Sequence, residues 1–207
     1  MPSGTKRVFF GDYVFVVDEN VYEPAEDSFL FAENLHVKQS EQVLDVGTGC
    51  GILGITAAEK ASEVVAVDVN PYAVRCAKEN ATHNDARGKM AFLRSDLFAC
   101  ISKRAKFDVI LFNAPYLPTE SESTSWIDRA WAGGETGRKI IDRFINESSV
   151  HLKRKGRVLL LQSTIACVDE TMLAFERCGL RGKVVAECAV PFFETIVLLE
   201  ARRHVTS

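Results

Sequence analysis

The stretch from Gln42 to Lys60 constrains the fold of this chain more than any other. Gln42-Val43-Leu44-Asp45-Val46 reads as a buried strand, and it runs without a break into Gly47-Thr48-Gly49-Cys50-Gly51. Ile52 to Lys60 then carries helical spacing. A strand, a glycine loop and a helix in that order make the first half of a nucleotide-binding βαβ unit. Glycines at 47, 49 and 51 let the backbone approach a ligand that a Cβ would push away. The second strand, Val64 to Val67, ends in Asp68, nineteen residues after Gly49, where a carboxylate can accept both hydroxyls of a ribose. Gly49, Gly51 and Gly54 also satisfy G-x-G-x-x-G, so a dinucleotide reading stays open at this point.

The rest of the chain extends the α/β pattern. Asn70 caps and Pro71 opens a helix to about Asn84. A third strand, Met90 to Leu93, leads to Ser95-Asp96-Leu97-Phe98, again with a carboxylate just past a strand. Phe107 to Phe112 is a fourth strand, Gly156 to Gln162 a fifth, and Val168 to Arg177 a helix ended near Gly179. Lys183 to Val190 and Thr195 to Ala201 are the last two strands. Pro191-Phe192-Phe193-Glu194 is too short to hold a crossover helix, so these two form an antiparallel hairpin. An ordinary dinucleotide fold ends on another parallel strand; a final hairpin in an otherwise parallel sheet marks the class I methyltransferase variant. Residues Val8 to Val17, with a turn near Gly11-Asp12, read as short strands that need not join the central sheet. Residues 1–20 are therefore expected to be a short extension, and 21–207 a single domain.

Composition excludes several classes. With 47% hydrophobic and 26% charged residues the chain matches a globular protein, and no apolar run approaches the ~20 residues of a membrane span. Met1 to Arg7 is polar and basic, but Gly11, Asp12 and Asp18 interrupt any signal-peptide core, so a cytoplasmic protein is expected. Cys50, Cys76, Cys100, Cys167, Cys178 and Cys188 form no C-x-x-C pair, and no metal site is expected. A net charge of -3 gives no global attraction to nucleic acid.

The fourth strand delivers Asn113-Ala114-Pro115-Tyr116. An Asn facing a pocket offers one carbonyl acceptor and two amide donors, and Pro115 limits how the turn can move. This is equipment for holding a planar polar group. Tyr22-Glu23-Pro24-Ala25-Glu26-Asp27-Ser28 reads as a helix start, with Pro24 at the first helical position and Glu26 and Asp27 at the positive end of a helix running to about Leu35. After Pro118 come a polar segment, Thr119 to Ser125, then Trp126, Trp131 and Gly133-Gly134. An amphipathic helix follows from about Gly137 to Leu152, burying Ile140, Ile141, Phe144 and Ile145. A long loop beside a strand's carboxyl end is expected to be a lid or binding element.

Together, Asp45 to Gly51, Asp68, Asp96-Leu97 and Asn113 to Tyr116 resemble an S-adenosylmethionine-dependent methyltransferase with an N-P-P-Y motif. Val21 to Ser28, Ala130-Trp131-Ala132-Gly133-Gly134, Gly137-Arg138 and Asp142-Arg143-Phe144 resemble the HemK-related methyltransferases of the eukaryotic and archaeal type. These modify the glutamine of the Gly-Gly-Gln tip in class I translation release factors. The resemblance covers about Val21 to the C-terminus and implies a seven-stranded Rossmann-like sheet of order 3-2-1-4-5-7-6 with helices on both faces. It also implies that Ser28, where the family more often has Thr, holds the amino-acid end of the cofactor. Asp45 and Gly47 would line its methionine part with Gly49 and Gly51 in the same loop, Asp68 would hold the ribose, and Asp96 with Leu97 the adenine. Asn113 would bind the substrate amide beside Ala114, Pro115 and Tyr116; Ala114 replaces the usual Pro and removes one source of turn rigidity. Relatives of this type take a small zinc-binding partner on a sheet edge, and the third strand, with Met90, Phe92 and Leu93, is the expected edge. The same motif also serves adenine, tRNA or rRNA base methylation and protein lysine methylation, and a non-catalytic cofactor-binding scaffold is the remaining alternative. The flanking motifs at 21–28 and 130–144 favour glutamine.

Overall fold

The computed structural model of the chain describes residues 5–120, 125–191 and 194–203. Strands β1 (Lys6–Phe10) and β2 (Tyr13–Val17) pair as a separate antiparallel sheet. After them come α1 (Glu26–Glu33), β3 (Gln42–Val46), α2 (Ile52–Ala58), β4 (Glu63–Asp68), α3 (Pro71–His83), β5 (Met90–Arg94) and β6 (Phe107–Asn113). The remainder is α4 (Trp126–Trp131), α5 (Lys139–Ser148), β7 (Leu152–Ser163), α6 (Val168–Arg177), β8 (Leu180–Val190) and β9 (Glu194–Arg203). The main sheet has the order β5-β4-β3-β6-β7-β9-β8, parallel except where β9 runs against β7 and β8. This is the expected 3-2-1-4-5-7-6 arrangement with its reversed terminal hairpin. Phe192 and Phe193 of the hairpin turn, residues 121–124 of the polar segment and residues 1–4 of the basic N-terminus lie outside the described residues.

Continuous apolar strands follow from burial on both faces. Successive side chains alternate across the sheet, so Val43, Leu111 and Leu161 join Phe31 and Ile55 in one core layer. Leu44, Ile110 and Leu160 point the other way, into a layer with Ile141, Phe144, Ile145 and Phe175. Phe144 stacks against Phe112 and Phe98, at centroid distances of 4.5 and 5.6 Å, which locks α5 beneath the end of β6. At the other end of the sheet Arg157 is buried and pairs bidentately with Glu41 at 2.7 and 3.0 Å. That guanidinium holds the Glu41 carboxyl below its ordinary range. No helix among the described residues is long and apolar enough to cross a membrane.

Some boundaries differ from the sequence reading. Helix α1 begins at Glu26 rather than at Pro24, because Ala25 is extended and serves as its N-cap. Trp126–Trp131, read as loop, forms a short helix capped by the Ser125 hydroxyl, which accepts from the Asp128 amide at 3.1 Å. Strand β7 starts at Leu152, four residues before Gly156, because an irregularity in its pairing with β6 carries the ladder past the glycine.

The β1–β2 hairpin is held on α3 by two amides spaced one helical turn apart. Asn84 and Asn80 present their carbonyl oxygens to the backbone amides of Val14 and Val16 at 3.0 and 2.9 Å. Their side-chain amides donate back to the carbonyls of Val14 and Val16 at 2.9 and 3.0 Å. Asparagine thus replaces a missing strand at the open edge of β2. Asn80, which is fully buried, also donates to the carbonyl of Cys50 at 2.9 Å and so ties hairpin and glycine loop to one helix. Asn80→Ala leaves these backbone groups unpartnered and is expected to cost about 1–3 kcal/mol of stability, as read from urea unfolding; an unchanged midpoint would show the clamp to be dispensable.

Candidate active site

The carboxyl ends of β3, β4 and β6 open onto a cavity of about 810 Å³. It lies where chain order reverses: β3 runs to β4 on one side and pairs with β6 on the other, the place where open α/β sheets receive ligands. Ser28, Gly47, Gly49, Asp68, Asp96 and Leu97 line it together with Asn113, Ala114, Pro115 and Tyr116. Asp45 and Gly51 do not.

The glycine loop explains that exception. Asp45 is buried beneath it, and its Oδ2 accepts the Thr48 hydroxyl at 2.6 Å and the Gly54 amide at 3.0 Å. Gly54, the third glycine of the dinucleotide-like pattern, therefore serves the loop's internal bonding. Burial pushes the Asp45 carboxyl up to about 7, against the Thr48 and Gly54 bonds that favour its charged form. Gly51 packs against Ile55 and Ala77. Gly49, at φ +56°, donates its amide to Asp68 Oδ2 at 3.0 Å, and a Cβ added there would stand in open space at the cavity wall. Asp68 also accepts the Asn70 amide at 2.9 Å; burial raises its pKa, while the amides of Gly49, Asn70 and Val69 oppose the shift. Cys50 is buried in the loop, where desolvation pushes its thiol up and keeps it unreactive.

Asn113 is the last residue of β6, opposite Leu161 of β7. Its amide nitrogen donates to Asp27 Oδ2 at 3.0 Å and reaches the Ser28 hydroxyl at 3.4 Å. Its Oδ1 is buried with no hydrogen-bond partner among the described residues. Ala114 continues the ladder, its N–H donating to the carbonyl of Leu161 at 3.2 Å. A proline could not make this bond, so the alanine recovers by hydrogen bonding some of the restraint that the missing ring removes. Tyr116 is half-buried, and desolvation, with the charges of Asp27 and Glu194, raises its phenol above the ordinary value and keeps it protonated.

Asp27 is the residue that the sequence reading missed as part of the site. It had been assigned to the positive end of α1, yet its Oδ1 accepts the Tyr22 hydroxyl at 3.1 Å and the Ser28 amide and hydroxyl at 2.5 and 3.1 Å. Its Oδ2 faces Asn113, 86 residues away in sequence. Polar residues clustered at a helix start were the available signal; their partner was not visible.

The 130–144 motif is bonded onto the same turn. Leu117 donates to the carbonyl of Trp131 at 2.9 Å, Gly133 to that of Leu117 at 2.8 Å, and Thr119 to that of Gly134 at 2.9 Å. Gly137, at φ +73°, sits so close that a Cβ would fall 2.3 Å from the Tyr116 carbonyl oxygen. Arg138 is buried and binds the carbonyls of Ala166 and Cys167, the Thr171 hydroxyl, Asp142 and Glu170, joining α5 to α6 behind the turn. Arg143 pairs with Asp96 at 2.9 Å across an exposed surface. Trp126 and Trp131 both line the cavity; Arg129 lies over the Trp126 ring at 4.9 Å, and Trp131 stays exposed.

A parallel sheet closed by a reversed hairpin, with a glycine loop and acidic strand ends around one cavity, defines a class I methyltransferase. Residues 15–178 match the methyltransferase small domain family model. A protein from Methanocaldococcus jannaschii, described as a candidate protein N5-glutamine methyltransferase, is 44% identical over 86% of this chain and 90% of its own length. Methyltransferase HEMK2 of Mus musculus is 31% identical over 79% and 81% of the two chains. Among solved structures, a chain of the E. cuniculi Mtq2-Trm112 complex, which methylates the termination factor eRF1, superposes with a TM-score of 0.72. It is 24% identical and covers 89% of this chain and 99% of its own, a likeness of fold. The chain belongs to the methyltransferase small-domain family, and its methyl donor is S-adenosylmethionine.

The cavity's residues fit that donor. Gly49 leaves a side-chain-free stretch of wall beside Gly47, Asp68 and Asp96 are acceptors for hydroxyl and amine groups, and buried Leu97 supplies an apolar contact for a flat ring. Asp45 sets a pH signature in the ligand-free protein. Its folded pKa, about 7, lies above the ordinary 3.8, so its protonated form favours folding. Measured against Asp45→Asn, wild-type stability is expected to fall as pH rises from about 4 to about 7 and to level off above; a stability difference independent of pH would contradict the assignment.

Proposed function

We propose that this enzyme transfers a methyl group to the side-chain amide of the glutamine in the Gly-Gly-Gln tip of a class I translation release factor, in the cytoplasm. The observation that carries this reading is the buried Oδ1 of Asn113, a residue of the cavity wall, which has no hydrogen-bond partner among the described residues and is an acceptor for a ligand's donor. The names of the M. jannaschii relative and the E. cuniculi complex support glutamine and a termination factor. Residues 21–207 act as one catalytic domain, with 1–20 a short extension whose β1–β2 hairpin is clamped on α3.

S-adenosylmethionine, when bound, supplies a methyl group activated by its sulfonium. Ser28, Gly47, Gly49, Asp68, Asp96 and Leu97 would hold it, with Asp45 and Gly51 supporting the loop from beneath. A glutamine nitrogen is a weak nucleophile because its lone pair is delocalised into the carbonyl. Asn113 Oδ1 and the Ala114 carbonyl each accept one hydrogen of the target NH₂ and so favour positive charge developing on nitrogen, which sheds one proton during or after methyl transfer to leave the neutral N-methyl amide. Tyr116 packs beside the amide. Alignment of this kind is worth up to ~7–11 kcal/mol of barrier when the bound geometry is a near-attack one.

Among the described residues, edge strand β5 pairs with β4 alone and leaves Leu93 exposed, which supports docking of a small zinc-binding activator there. The reading is tested by radiolabelled methyl transfer with release factor, tRNA and DNA offered side by side, and label is expected in the release factor alone. Asn113→Ala should lower turnover by roughly 100-fold or more with little change in cofactor affinity; near-normal turnover would remove Asn113 from its role. Asp68→Ala should instead weaken cofactor binding by at least about tenfold, as calorimetry reads it; unchanged affinity would place the ribose elsewhere.

A further inference from the structure

Asn113 can present either end of its amide to the cavity, and the two ends have opposite hydrogen-bonding character. What selects one end is Asp27. A carboxylate only accepts, so the Asn113 atom facing Asp27 Oδ2 at 3.0 Å has to be the NH₂ group, and Oδ1 is turned the other way. Asp27 is fixed in turn, because its Oδ1 takes the Ser28 amide, the Ser28 hydroxyl and the Tyr22 hydroxyl. Both Asp27 and Ser28 are buried at the cavity wall, which restricts the partners open to them. We infer that Asp27 is the positioning residue that makes the cavity face of Asn113 an acceptor, and thereby sets selection of an amide over a carboxylate side chain. This deepens the reading of Asn113 as the amide clamp and rests on it.

The consequence is a discrimination between glutamine and glutamate at the same site. A glutamine NH₂ satisfies the orphan oxygen, whereas a glutamate carboxylate brings a second acceptor against it and leaves both without a hydrogen. A release factor whose tip glutamine has been deamidated is therefore refused at this contact.

The isosteric change Asp27→Asn makes a specific forecast. The position of Oδ1 must remain an oxygen, since three donors point at it, so the new amide nitrogen falls where Oδ2 stood. Two NH₂ groups then face each other across 3.0 Å, and the contact is relieved when the Asn113 amide turns over. Its oxygen now accepts from residue 27 and its NH₂ points into the cavity, which reverses the character of the clamp.

The test measures binding of release factor in its Gly-Gly-Gln and Gly-Gly-Glu forms to protein loaded with S-adenosylhomocysteine. Wild type is expected to prefer the glutamine form by at least about tenfold, and Asp27→Asn to cut that preference by at least about fivefold, the Ala114 carbonyl keeping its share, while cofactor affinity stays within about threefold. Tyr22→Phe, which removes one donor to Asp27 without touching Asn113, should keep the wild-type preference. A folded, cofactor-binding Asp27→Asn protein that prefers glutamine as strongly as wild type overturns the inference. Should that variant not fold, side-chain ¹⁵N spectra of the wild type decide: a slowly exchanging Asn113 NH₂ supports the orientation, and a freely exchanging one refutes it. Those spectra stay informative even if wild type binds no release factor, the outcome that would sink the substrate reading instead.

Discussion

The site depends on the parallel register in which Val46 of β3 lies opposite Phe112 of β6. Because both strands run the same way, Gly47 and Asn113, the residues next after Val46 and Phe112, stand at the same end of the sheet and side by side. An antiparallel pairing would put the glycine loop and the amide at opposite ends of the molecule. Contact at this point is close: a Cβ at Gly47 would meet the Phe112 ring at 3.3 Å, and that ring is itself stacked on Phe144. The layer of α5 thus holds the end of β6, and β6 holds the relation between cofactor loop and substrate clamp.

Around this frame, buried polar groups are paired with a consistency that gives the exceptions meaning. Asn80 and Asn84 satisfy the free edge of the hairpin, Arg138 gathers two carbonyls, a hydroxyl and two carboxylates, and Arg157 is matched by Glu41. Each closes a join between elements that hydrophobic packing alone would leave free to slide. Among the described residues, Asp45 Oδ1 and Asn113 Oδ1 stand apart as buried oxygens without a hydrogen-bond partner; buried Arg138 Nε makes no hydrogen bond either but has the Glu170 carboxylate 3.1 Å away. The first belongs to a carboxyl whose pKa burial has raised, so the cost of leaving it unpaired is reduced by a proton. Asn113 has no such relief, and an amide oxygen left dry at a cavity wall is a cost that only a ligand's donor removes.

Much of the frame was legible in the chain because it is encoded locally. Strand, glycine loop and helix at Gln42–Ala58, the acidic strand ends at Asp68 and Asp96, and the short link before Glu194 are contiguous patterns, each with one stereochemical solution. Local reading failed where the deciding partner is distant. Asp27 looked like a helix-dipole residue because nothing near it in sequence shows Tyr22 and Asn113 converging on it. Asp45, which the family resemblance sets beside the methionine part, has its carboxylate turned inward to Thr48 and Gly54, a role as loop support that only the folded loop displays. Helix α4 is a single short segment capped by Ser125, too brief for periodicity to reveal.

The sequence by itself determined the class of fold and the chemistry standing at the strand ends, since periodicity, glycine spacing and an amide before a proline turn act over a few residues. Only the tertiary structure decided which end of Asn113 faces the cavity. That choice is made by a carboxylate carried on helix α1, 86 residues away, and hydrogen-bond polarity between two side chains exists only once folding has brought them to 3.0 Å.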